Sequence, residues 1–392
     1  MFTPSLGRGV KKLHPFDNNF DIVVFYSIII VFTMIVRPVT DIKWYLENAE
    51  FLEESYTYDC EWHSDQTQKT FTTNPTFVIQ FQDVIAHQLP FIITKNNLML
   101  SDHVWPLLHK TKHKPHKSHG LWQTWGEKLE IRKPCPTKYY KGKDIYVWLP
   151  IDSQSSNNAW HFWIDVVSKI RLIHMSMSAY KNVFEYVYVF PNIGPYMSKA
   201  IKELLPDLKV LIMGENEYWH FEHLLVPSMS NHLDGVLTPG LPKWLYDTFA
   251  QKKNSVPTRK IFISREDAPA RQLSNTEELF MALKGWEKLN LSELSLKEQI
   301  KIFNETSHVM TTHGAGLVNT VWCPPGATVI EISQKELIDK KPYPILSMLK
   351  KHQHHVITAG KVPLGTNKPK NVKRLKDYNN LKIDLKDVLR LI

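Results

Sequence analysis

The sequence predicts an α/β fold with two Rossmann-like domains that face a cleft, preceded by an N-terminal membrane anchor. From residue 144 onward, short apolar strands alternate with segments of helical length and spacing, which favours parallel sheets covered by helices. A stretch at 224–258, rich in Pro and turn-forming residues, separates two sets of such units. An apolar run, Ile22–Val36, lies near the N-terminus. We therefore predict a cytosolic tail and anchor at 1–40, a first domain at 41–245 and a second domain at 246–392.

The chain has the composition of a globular protein. Of its 392 residues, 43% are hydrophobic and 22% are charged, which excludes a disordered, collagen-like or coiled-coil chain. The net charge of +9 suits nucleic acid, an anionic membrane or a phosphorylated ligand, but no nucleic-acid-binding signature accompanies the basic residues. The three cysteines are too few for a disulfide scaffold and too scattered for a zinc site. We predict no nucleic-acid partner.

The run Ile22–Val36 is the candidate anchor, although it is shorter than the roughly 20 residues that usually cross a bilayer. Arg8, Lys11 and Lys12 precede it, and this positive excess predicts a cytosolic N-terminus with the bulk of the chain translocated. No small-residue cleavage site follows, so an uncleaved signal anchor is favoured over a removed signal peptide. The alternative is a buried strand or helix of a soluble domain.

Two further features fit a location in the secretory lumen. Asn-x-Ser/Thr sequons occur at Asn290 and Asn304. In an oxidising lumen Cys60 and Cys135 are candidates for a disulfide, which would leave Cys323 unpaired. We expect a single-pass type II protein of the ER or Golgi membrane, with its folded domains in the lumen.

Residues 41–140 contain short β-rich pieces such as Thr76–Phe81, and the histidines of Asp102–Gly120 are interpreted as part of a solvated basic loop. The strands predicted after them are Ile145–Leu149, Tyr186–Phe190, Lys209–Met213, Lys260–Ser264, Ser307–Thr312 and Ala327–Ile332. The segment Gly285–Leu289 is predicted to lead to a further, small strand. The predicted helices are Asn158–Ser178, Pro195–Leu205, Lys243–Gln251, Asn275–Leu283 and Ser295–Asn304, the last opened by a capping box.

The segment Thr311–Ile332 carries the strongest chemical signal. A predicted strand runs into the sequence HGAG at 313–316 and then into a helix, and the two glycines allow a sharp turn and a close approach of the backbone to a ligand. A helix N-terminus offers unpaired N–H groups to a phosphate, and His313 can donate a further hydrogen bond. Glu331 ends the following strand, where a carboxylate can hold a ribose. The alternative is that the glycines only permit tight packing of strand and helix.

Two arginines follow the strand Lys260–Ser264. Arg265 lies just past its end and Arg271 six residues further along. Their planar, charged donors are suited to clamping a diphosphate. Surface ion pairs with Glu266 and Asp267 are the alternative.

The predicted helix Asn158–Ser178 contains a further candidate pair. His161 and Asp165 are four residues apart and therefore share one face of the helix. Either side chain is suited to act as a general base. The alternative is a histidine packed into an aromatic core.

Together these segments resemble the family-61 glycosyltransferases, which include plant xylosyl- and arabinosyltransferases and animal O-linked GlcNAc transferases. The resemblance covers roughly residues 145–335. It rests on His161 to Asp165, Ser264-Arg265 with Arg271, Leu294-Ser295 through Glu298-Gln299-Ile300, His313 to Asn319, and Pro324 to Ile332. Residues 41–140 show no such resemblance, and Trp322-Cys323 replaces the expected pair of Phe and an aliphatic residue.

The resemblance implies a GT-B fold and an inverting transfer of xylose, GlcNAc or arabinose from a UDP-sugar to a hydroxyl of a glycan or glycoprotein. The sequence has no Asp-x-Asp motif, so we expect no divalent metal, and cationic side chains with helix dipoles must then stabilise the leaving diphosphate. The expected catalytic residues are Asp165, His161 and His313, and the expected donor-binding residues are Arg265, Arg271, His313, Gly314, Ala315, Gly316, Leu317, Asn319 and Glu331.

Other classes of function are weaker. A non-catalytic relative that binds glycans or nucleotide sugars is the main alternative. A dinucleotide-dependent oxidoreductase is disfavoured because no G-x-G-x-x-G opens an α/β unit with an acidic residue following at the required distance. A hydrolase of the α/β class is disfavoured because the sequence has no G-x-S-x-G.

Overall fold

The computed structural model describes strand segments between residues 33 and 132, most of residues 136–362, and residues 380–392. The ranges outside the description within 136–362 are 143, 150, 152–156, 177–184, 192, 215–216, 229–236, 251–255, 269–270 and 338–341.

From Tyr146 onward, strands and helices alternate over most of the described chain. The strands of the N-terminal half are β1 (Thr33–Val39), β2 (Glu50–Glu53), β3 (Thr57–Trp62), β4 (Thr67–Thr72), β5 (Thr76–His87), β6 (Phe91–Ile93), β7 (Leu98–Leu100), β8 (Trp122–Trp125), β9 (Lys128–Arg132), β10 (Lys138–Tyr140), β11 (Tyr146–Trp148), β12 (Val187–Phe190), β13 (Lys209–Ile212) and β14 (Tyr218–Pro227). Those of the C-terminal half are β15 (Arg259–Ser264), β16 (Glu287–Asn290), β17 (Thr306–Thr312), β18 (Thr328–Ser333), β19 (Gln353–Thr358), β20 (Gly360–Val362) and β21 (Asn380–Lys382). The α-helices are α1 (Ala159–His161), α2 (Ser168–Ser176), α3 (Pro195–Leu204), α4 (Gly240–Phe249), α5 (Thr276–Ala282), α6 (Leu296–Asn304), α7 (Pro342–Leu349) and α8 (Leu385–Leu389).

The first sheet is mixed. Its strand order is β13-β12-β11-β14-β5-β6-β7-β1-β9-β8, with β10 beside β14 and β2 beside β5. The four strands from β13 to β14 are parallel, as the alternation of strands and helices predicted. The long strand β5 runs antiparallel to β14, from the pair Tyr218 and His87 to the pair Pro227 and Val78. The α/β class is therefore confirmed, and the antiparallel extension by residues before 140 is an addition that the sequence did not predict.

The second sheet is entirely parallel, with the order β16-β15-β17-β18-β19. Numbered along the chain, this order is 2-1-3-4-5, one of the two common doubly wound arrangements. The strand order reverses between β15 and β17, and ligands of such sheets bind beyond the carboxyl ends of the strands at this point. Ser264 ends β15 and Thr312 ends β17, so Arg265 and His313 both emerge at the reversal.

The helix that begins at Ala159 contains an irregular segment. A π-helical stretch, Phe162–Val167, lies between α1 and α2, and the Oδ1 of Asn158 caps the helix by accepting from the backbone N–H of Trp160 at 2.9 Å. This arrangement agrees with the helix predicted at Asn158–Ser178. A π segment carries one extra residue per turn and is frequent at functional sites.

One cluster of buried apolar side chains spans both sheets, including Leu149 of the first half and Ile263 of the second. At its centre the ring of Trp163 lies edge-on to Trp322, with centroids 4.7 Å apart, and Phe249 of α4 contacts both rings. The helix α4 crosses the domain boundary that was predicted between residues 245 and 246. Through Phe249 it contacts aromatic rings of both halves. The division into domains and the GT-B arrangement remain predictions.

A buried ion pair connects the first sheet to α2. Arg171 donates from Nη1 and Nη2 to Glu53 at 3.0 and 2.6 Å, and Thr76 donates to the same carboxylate at 3.0 Å. Burial alone raises the pKa of Glu53, but the hydrogen bonds and charge of Arg171 outweigh it, and the pKa is lowered. Arg171 also fills the space above Gly240, where an added Cβ would lie 2.7 Å from Nη2.

The predicted membrane anchor falls mostly on residues that the structure does not describe. Of Ile22–Val36, only residues 33–36 are described, and they belong to β1, which pairs with β9. This part is extended rather than helical, in keeping with the β-branched side chains of Thr33, Ile35 and Val36. Among the described residues, no helix has the length and apolar character needed to span a membrane.

Two other predictions from the N-terminal half lie partly outside the described residues. Cys135 and the histidine-rich loop at 102–120 are not described, so the proposed disulfide and the solvated loop remain predictions. Cys323 is a free, buried cysteine, as expected for the unpaired member of the three.

Candidate functional site

A cavity of about 470 Å³ lies between the two halves, at the point where the strand order of the second sheet reverses. It is bounded on one side by the start of α1 and α3, and on the other by the loops after β15, β16 and β17. The polar residues that line it include Asn157, Tyr196, Lys199, Arg265, Gln299 and Asn319. The cavity therefore has side chains from both halves, and a cation from each.

Arg265 and Arg271 lie close enough to repel one another. Burial, reinforced by the charge of Arg271, lowers the pKa of Arg265 to about 10. Within the described chain, the Nε of each arginine is buried without a hydrogen-bond partner. The alternative, ion pairs with Glu266 and Asp267, is not observed among the described residues. Glu266 instead bonds to Lys288 and Ser264, and Asp267 contributes to the pKa of Arg265 only through its charge. Two half-buried arginines whose Nε atoms are buried without a partner among the described residues are suited to a bound anion.

The backbone of Gly314 lies directly against Arg265. A Cβ added at position 314 would lie 2.4 Å from Nη1 of Arg265, far inside contact distance. The φ of Gly314 is 164°, an extended conformation that other residues adopt, so glycine is needed here for space rather than for backbone freedom. Gly314, the first glycine of HGAG, therefore leaves space for the side chain of Arg265, which follows the neighbouring strand β15.

Arg271 is held in an unusual conformation. Its φ is 59°, in the left-handed region that residues other than glycine rarely adopt. Its carbonyl oxygen accepts a hydrogen bond from Thr312 Oγ1 at 3.0 Å. Such strain costs about 1–3 kcal/mol and persists only where the surroundings enforce it, often at functional sites.

His313 is tied to Glu331 by a short hydrogen bond from its Nδ1 to Oε1. The other carboxylate oxygen of Glu331 is bonded to Nε2 of His354 at 3.1 Å. Burial alone would raise the pKa of Glu331, but the hydrogen bonds and charges of the two histidines lower it to about 2. Glu331 is 3% exposed and has both oxygens occupied, so it lies behind His313 rather than among the lining residues of the cavity.

The His161–Asp165 pair forms as the spacing predicted. Nδ1 of His161 lies 2.5 Å from Oδ2 of Asp165, and the His161 side chain is 35% exposed against 15% for Asp165. The ring of the neighbouring residue Trp160 packs edge-to-face with the ring of Tyr343, and Tyr343 in turn contacts the ring of His313. The pair therefore lies on an element that packs against the surroundings of His313, although neither His161 nor Asp165 is among the residues that line the cavity.

The helix predicted to follow the turn at His313 is observed as a 3₁₀ helix, Ala315–Trp322, which begins inside HGAG. Asn319 lines the cavity, but its side chain is committed within this segment, donating to Gly316 O at 3.2 Å and accepting from Trp322 Nε1 at 3.2 Å. Leu317 is fully buried in the core. Of the predicted donor-binding residues, Arg265, Gly316 and Asn319 line the cavity, whereas Leu317 and Glu331 support it from behind.

Three residues near the site had no signal in the sequence. Tyr343 contacts His313 with ring centroids 5.1 Å apart, and burial raises its pKa. His354 completes the bonds to Glu331, and Tyr196 lines the cavity from α3. None of the three belongs to a motif with a known spacing, so their proximity to the site can be recognised only in the folded structure.

This site can bind an anion and move a proton. Arg265 brings positive charge to the cavity and Arg271 lies close to it, while His161 and Asp165 form an acid–base pair in the first half of the chain. Among the residues that the structure describes, no group of three or more His, Cys, Asp or Glu side chains is arranged to hold a metal ion.

Comparison with known proteins identifies the same region of the chain. Residues 159–330 match the family model described as Glycosyltransferase 61. Over 132 residues the chain is 29% identical to Beta-1,2-xylosyltransferase RCN11 of Oryza sativa subsp. japonica. This match covers 29% of the present chain and 25% of the rice protein, so the chain spans about a quarter of that relative's length.

Proposed function

We propose, on the premise that residues 159–330 of this chain belong to the glycosyltransferase 61 family, that the protein is an inverting glycosyltransferase that acts without a metal ion. Its donor is a UDP-sugar and its acceptor is a hydroxyl of a glycan or glycoprotein. The cavity between the halves holds the donor, with its diphosphate at the arginines.

The observation that carries this proposal is the pair of half-buried arginines, Arg265 and Arg271, whose Nε atoms are buried and have no partner among the described residues. Repulsion between these two cations is relieved when a diphosphate binds between them. The same cations stabilise the negative charge that grows on the diphosphate as the glycosidic bond breaks, which is the role a metal ion has in other transferases. His313 adds a donor at this edge of the cavity.

The transfer step follows from this placement. The acceptor oxygen attacks the anomeric carbon from the face opposite UDP, the bond from that carbon to the phosphate oxygen breaks, and its electron pair leaves with UDP. We assign the base to Nε2 of His161, which takes the hydroxyl proton, because its side chain is the more exposed of the pair. Asp165 accepts a hydrogen bond from Nδ1 of His161 and thereby orients the ring and stabilises its charged form.

The relative's name supports one choice of sugar. Because the rice protein is named a Beta-1,2-xylosyltransferase, UDP-xylose is the first donor to test, followed by UDP-GlcNAc and UDP-arabinose. The alternative of a non-catalytic relative would keep the anion site but would not depend on His161 and Asp165.

Thermal stability measured with different nucleotides tests the donor site. We expect UDP to raise the melting temperature of the full-length chain, equally in EDTA and in manganese, whereas GDP, CMP and NAD change it little. A ligand at 100 times its dissociation constant stabilises a protein by about 2.7 kcal/mol, which a melting curve resolves. The panel is repeated with UDP-xylose, UDP-GlcNAc and UDP-arabinose, and release of UDP is measured with glycan acceptors.

Different results separate the alternatives. Stabilisation that requires manganese would contradict metal independence. UDP binding without transfer in the presence of acceptors would favour the non-catalytic relative, and no response to any nucleotide would contradict the donor site. A response to NAD alone would point to an oxidoreductase.

We also propose that the folded domains lie in the ER or Golgi lumen, behind a single-pass type II anchor at Ile22–Val36. The two sequons test this independently of the activity. Asn304 is 5% exposed and accepts a hydrogen bond from the hydroxyl of Tyr246, so a folded chain has no room for a glycan there. Asn290 is half-buried at the end of β16, with Ser292 exposed beside it.

In cells, the full-length chain is expected to carry an N-glycan at Asn290 and none at Asn304. A glycosidase that removes N-glycans should shift the mobility of the wild-type chain and of Asn304→Gln, but not of Asn290→Gln. A wild-type chain that lacks any glycan would contradict the luminal location, and a glycan on Asn304 in the folded protein would contradict the packing of α6 against α4.

A further inference from the structure

One wall of the cavity is built around a buried amide, that of Gln299 on α6. Gln299 is 6% exposed and lines the cavity. Its Nε2 donates to the backbone carbonyl oxygen of Leu291 at 2.9 Å and, more weakly, to that of Leu294 at 3.4 Å. Both carbonyls belong to the segment that follows β16, and the side chains of this segment line the cavity too. Gln299 therefore holds this wall in shape.

The partners of Gln299 also fix the direction of its amide. A carbonyl oxygen can only accept a hydrogen bond, so the atom bonded to Leu291 must be the amide nitrogen and the remaining atom must be the amide oxygen. Within the described chain this Oε1 has no hydrogen-bond partner, and it is not one of the fully buried polar atoms that lack a partner. It is therefore open to the cavity and offers a ligand one hydrogen-bond acceptor.

The two glycines of HGAG relate this wall to the arginine. A Cβ added at Gly314 would meet Arg265, and a Cβ added at Gly316 would lie 3.2 Å from Cδ1 of Leu291. Two residues of chain span at most about 7 Å. An anion beside Arg265 and a group beside Leu291 can therefore belong to one nucleotide.

The side chains around the Gln299 amide are apolar. The cavity lining includes Ile263, Leu291, Leu294 and Leu296, and Leu296 lies three residues before Gln299 on the same helix. Apolar side chains suit the faces of a flat heterocycle, and a single polar atom among them selects a particular edge. Uracil carries a proton on N3, whereas N3 of cytosine carries a lone pair. A lone acceptor in an apolar wall therefore distinguishes these two bases.

We propose that Gln299 is a specificity-determining residue: its Oε1 accepts a hydrogen bond from N3–H of uracil and thereby selects uridine over cytidine nucleotides. This inference rests on the proposed function for the presence of a nucleotide in the cavity. It deepens that function, because it assigns recognition of the base to one atom. With a cytidine nucleotide, two lone pairs would face each other at this point and the amide oxygen would stay without a partner.

The ratio of the dissociation constants for CDP and UDP tests the proposal and needs no acceptor. For the full-length wild-type chain, calorimetric titration is expected to show UDP binding about 10- to 100-fold more tightly than CDP. Gln299→Met keeps an unbranched side chain of similar size but removes the amide, so it should bring this ratio close to one. Loss of the Nε2 bonds loosens the wall for both nucleotides alike and cancels in the ratio. The ratio therefore separates base recognition from a merely structural role.

Gln272→Met is the matched control. Gln272 likewise donates from Nε2 to two backbone carbonyl oxygens, those of Glu266 and Ala268, both at 2.8 Å, but it is not among the residues that line the cavity. This variant should keep the wild-type ratio of CDP to UDP. The matched ligand is 2′-deoxy-UDP. Its loss of affinity relative to UDP should be the same in the wild type and in Gln299→Met, because Oε1 is assigned to the base and not to the ribose.

Equal binding of UDP and CDP by the wild type would overturn the proposal, as would a Gln299→Met protein that keeps the wild-type ratio. Loss of the discrimination against 2′-deoxy-UDP in Gln299→Met would assign Oε1 to the ribose and overturn it as well. If Gln299→Met does not fold, 3-methyl-UDP, which lacks the N3 proton, tests the wild-type chain, and binding as tight as that of UDP would overturn the proposal. A wild-type chain that binds no nucleotide would contradict the proposed function itself, whereas UDP binding with an unchanged ratio contradicts only the role of Gln299.

Discussion

Replacing Arg265 by alanine is expected to lower transfer by about 100- to 1,000-fold and to weaken UDP binding by about 1.5–3 kcal/mol. The first value is the usual cost of removing a donor that stabilises charge in the transition state, and the second is the range for hydrogen bonds to a charged group. Arg265 is suited to both roles because it lines the cavity and has a buried Nε without a partner in the described chain. The loss of transfer is measured as the initial rate with the UDP-sugar that proves active in the donor panel. The loss of binding free energy is measured by calorimetric titration with UDP.

Two variants serve as controls for Arg265→Ala. Arg265→Lys keeps the charge but loses the planar fork, so an intermediate loss is expected. Arg390→Ala removes an arginine whose side chain is 77% exposed and should leave both quantities unchanged. An Arg265→Ala protein that binds UDP as tightly as the wild type would contradict the donor site.

Gly314 offers an independent check on the same arginine. Gly314→Ala should impair UDP binding because its methyl group would displace Nη1 of Arg265, which lies 2.4 Å from the added atom. In the Arg265→Ala background the collision no longer exists, so the second substitution should cost little. Equal losses in both backgrounds would show that Gly314 acts through something other than Arg265.

Glu53→Ala is expected to destabilise the fold by about 3–5 kcal/mol, the range for breaking a buried ion pair by removing one partner. The side chains of Arg171 and Glu53 are only 7% and 10% exposed, so the substitution leaves a buried guanidinium without its carboxylate. The pair also joins residues far apart in the chain, and its loss should loosen β2 and β5 from α2. Urea unfolding followed by tryptophan fluorescence measures the change.

The exposed ion pair between Arg390 and Asp387 serves as the control for the buried pair between Glu53 and Arg171. Its side chains are 77% and 47% exposed, and Asp387→Ala should cost no more than about 1 kcal/mol. Glu53→Gln keeps an acceptor for Arg171 and Thr76 and should fall between the two. A Glu53→Ala protein within about 1 kcal/mol of the wild type would show that the pair does not hold the first sheet to α2.

The second sheet was the most predictable part of the fold. The predicted strand Lys260–Ser264 is observed as Arg259–Ser264, and Ser307–Thr312 as Thr306–Thr312, because short apolar runs bounded by turn residues leave little choice. The capping box at Ser295 and Glu298 is formed as its spacing predicted. Local patterns of this kind depend on neighbouring residues and can therefore be recognised in a single sequence.

Contacts between distant residues were not predictable in the same way. Glu331 looked like a ribose ligand because it ends a strand, and its bond to His354 exists only because β19 pairs with β18. The pair of Glu53 and Arg171, 118 residues apart in the chain, likewise depends on where β2 joins the sheet. The spacing of His161 and Asp165 predicted their contact, but not the π segment that carries Asp165.

The aromatic contact between the halves also limits how the protein can move. Trp163, Phe249 and Trp322 interlock inside a core cluster that is shared by both sheets, and Trp163 and Trp322 are almost fully buried. A wide hinge opening would expose these rings to water, at about 25 cal/mol for each Å² of apolar surface. Substrate entry is therefore expected to proceed through small sliding movements and rearrangement of the loops around the cavity, with the two halves unfolding together as one cooperative unit.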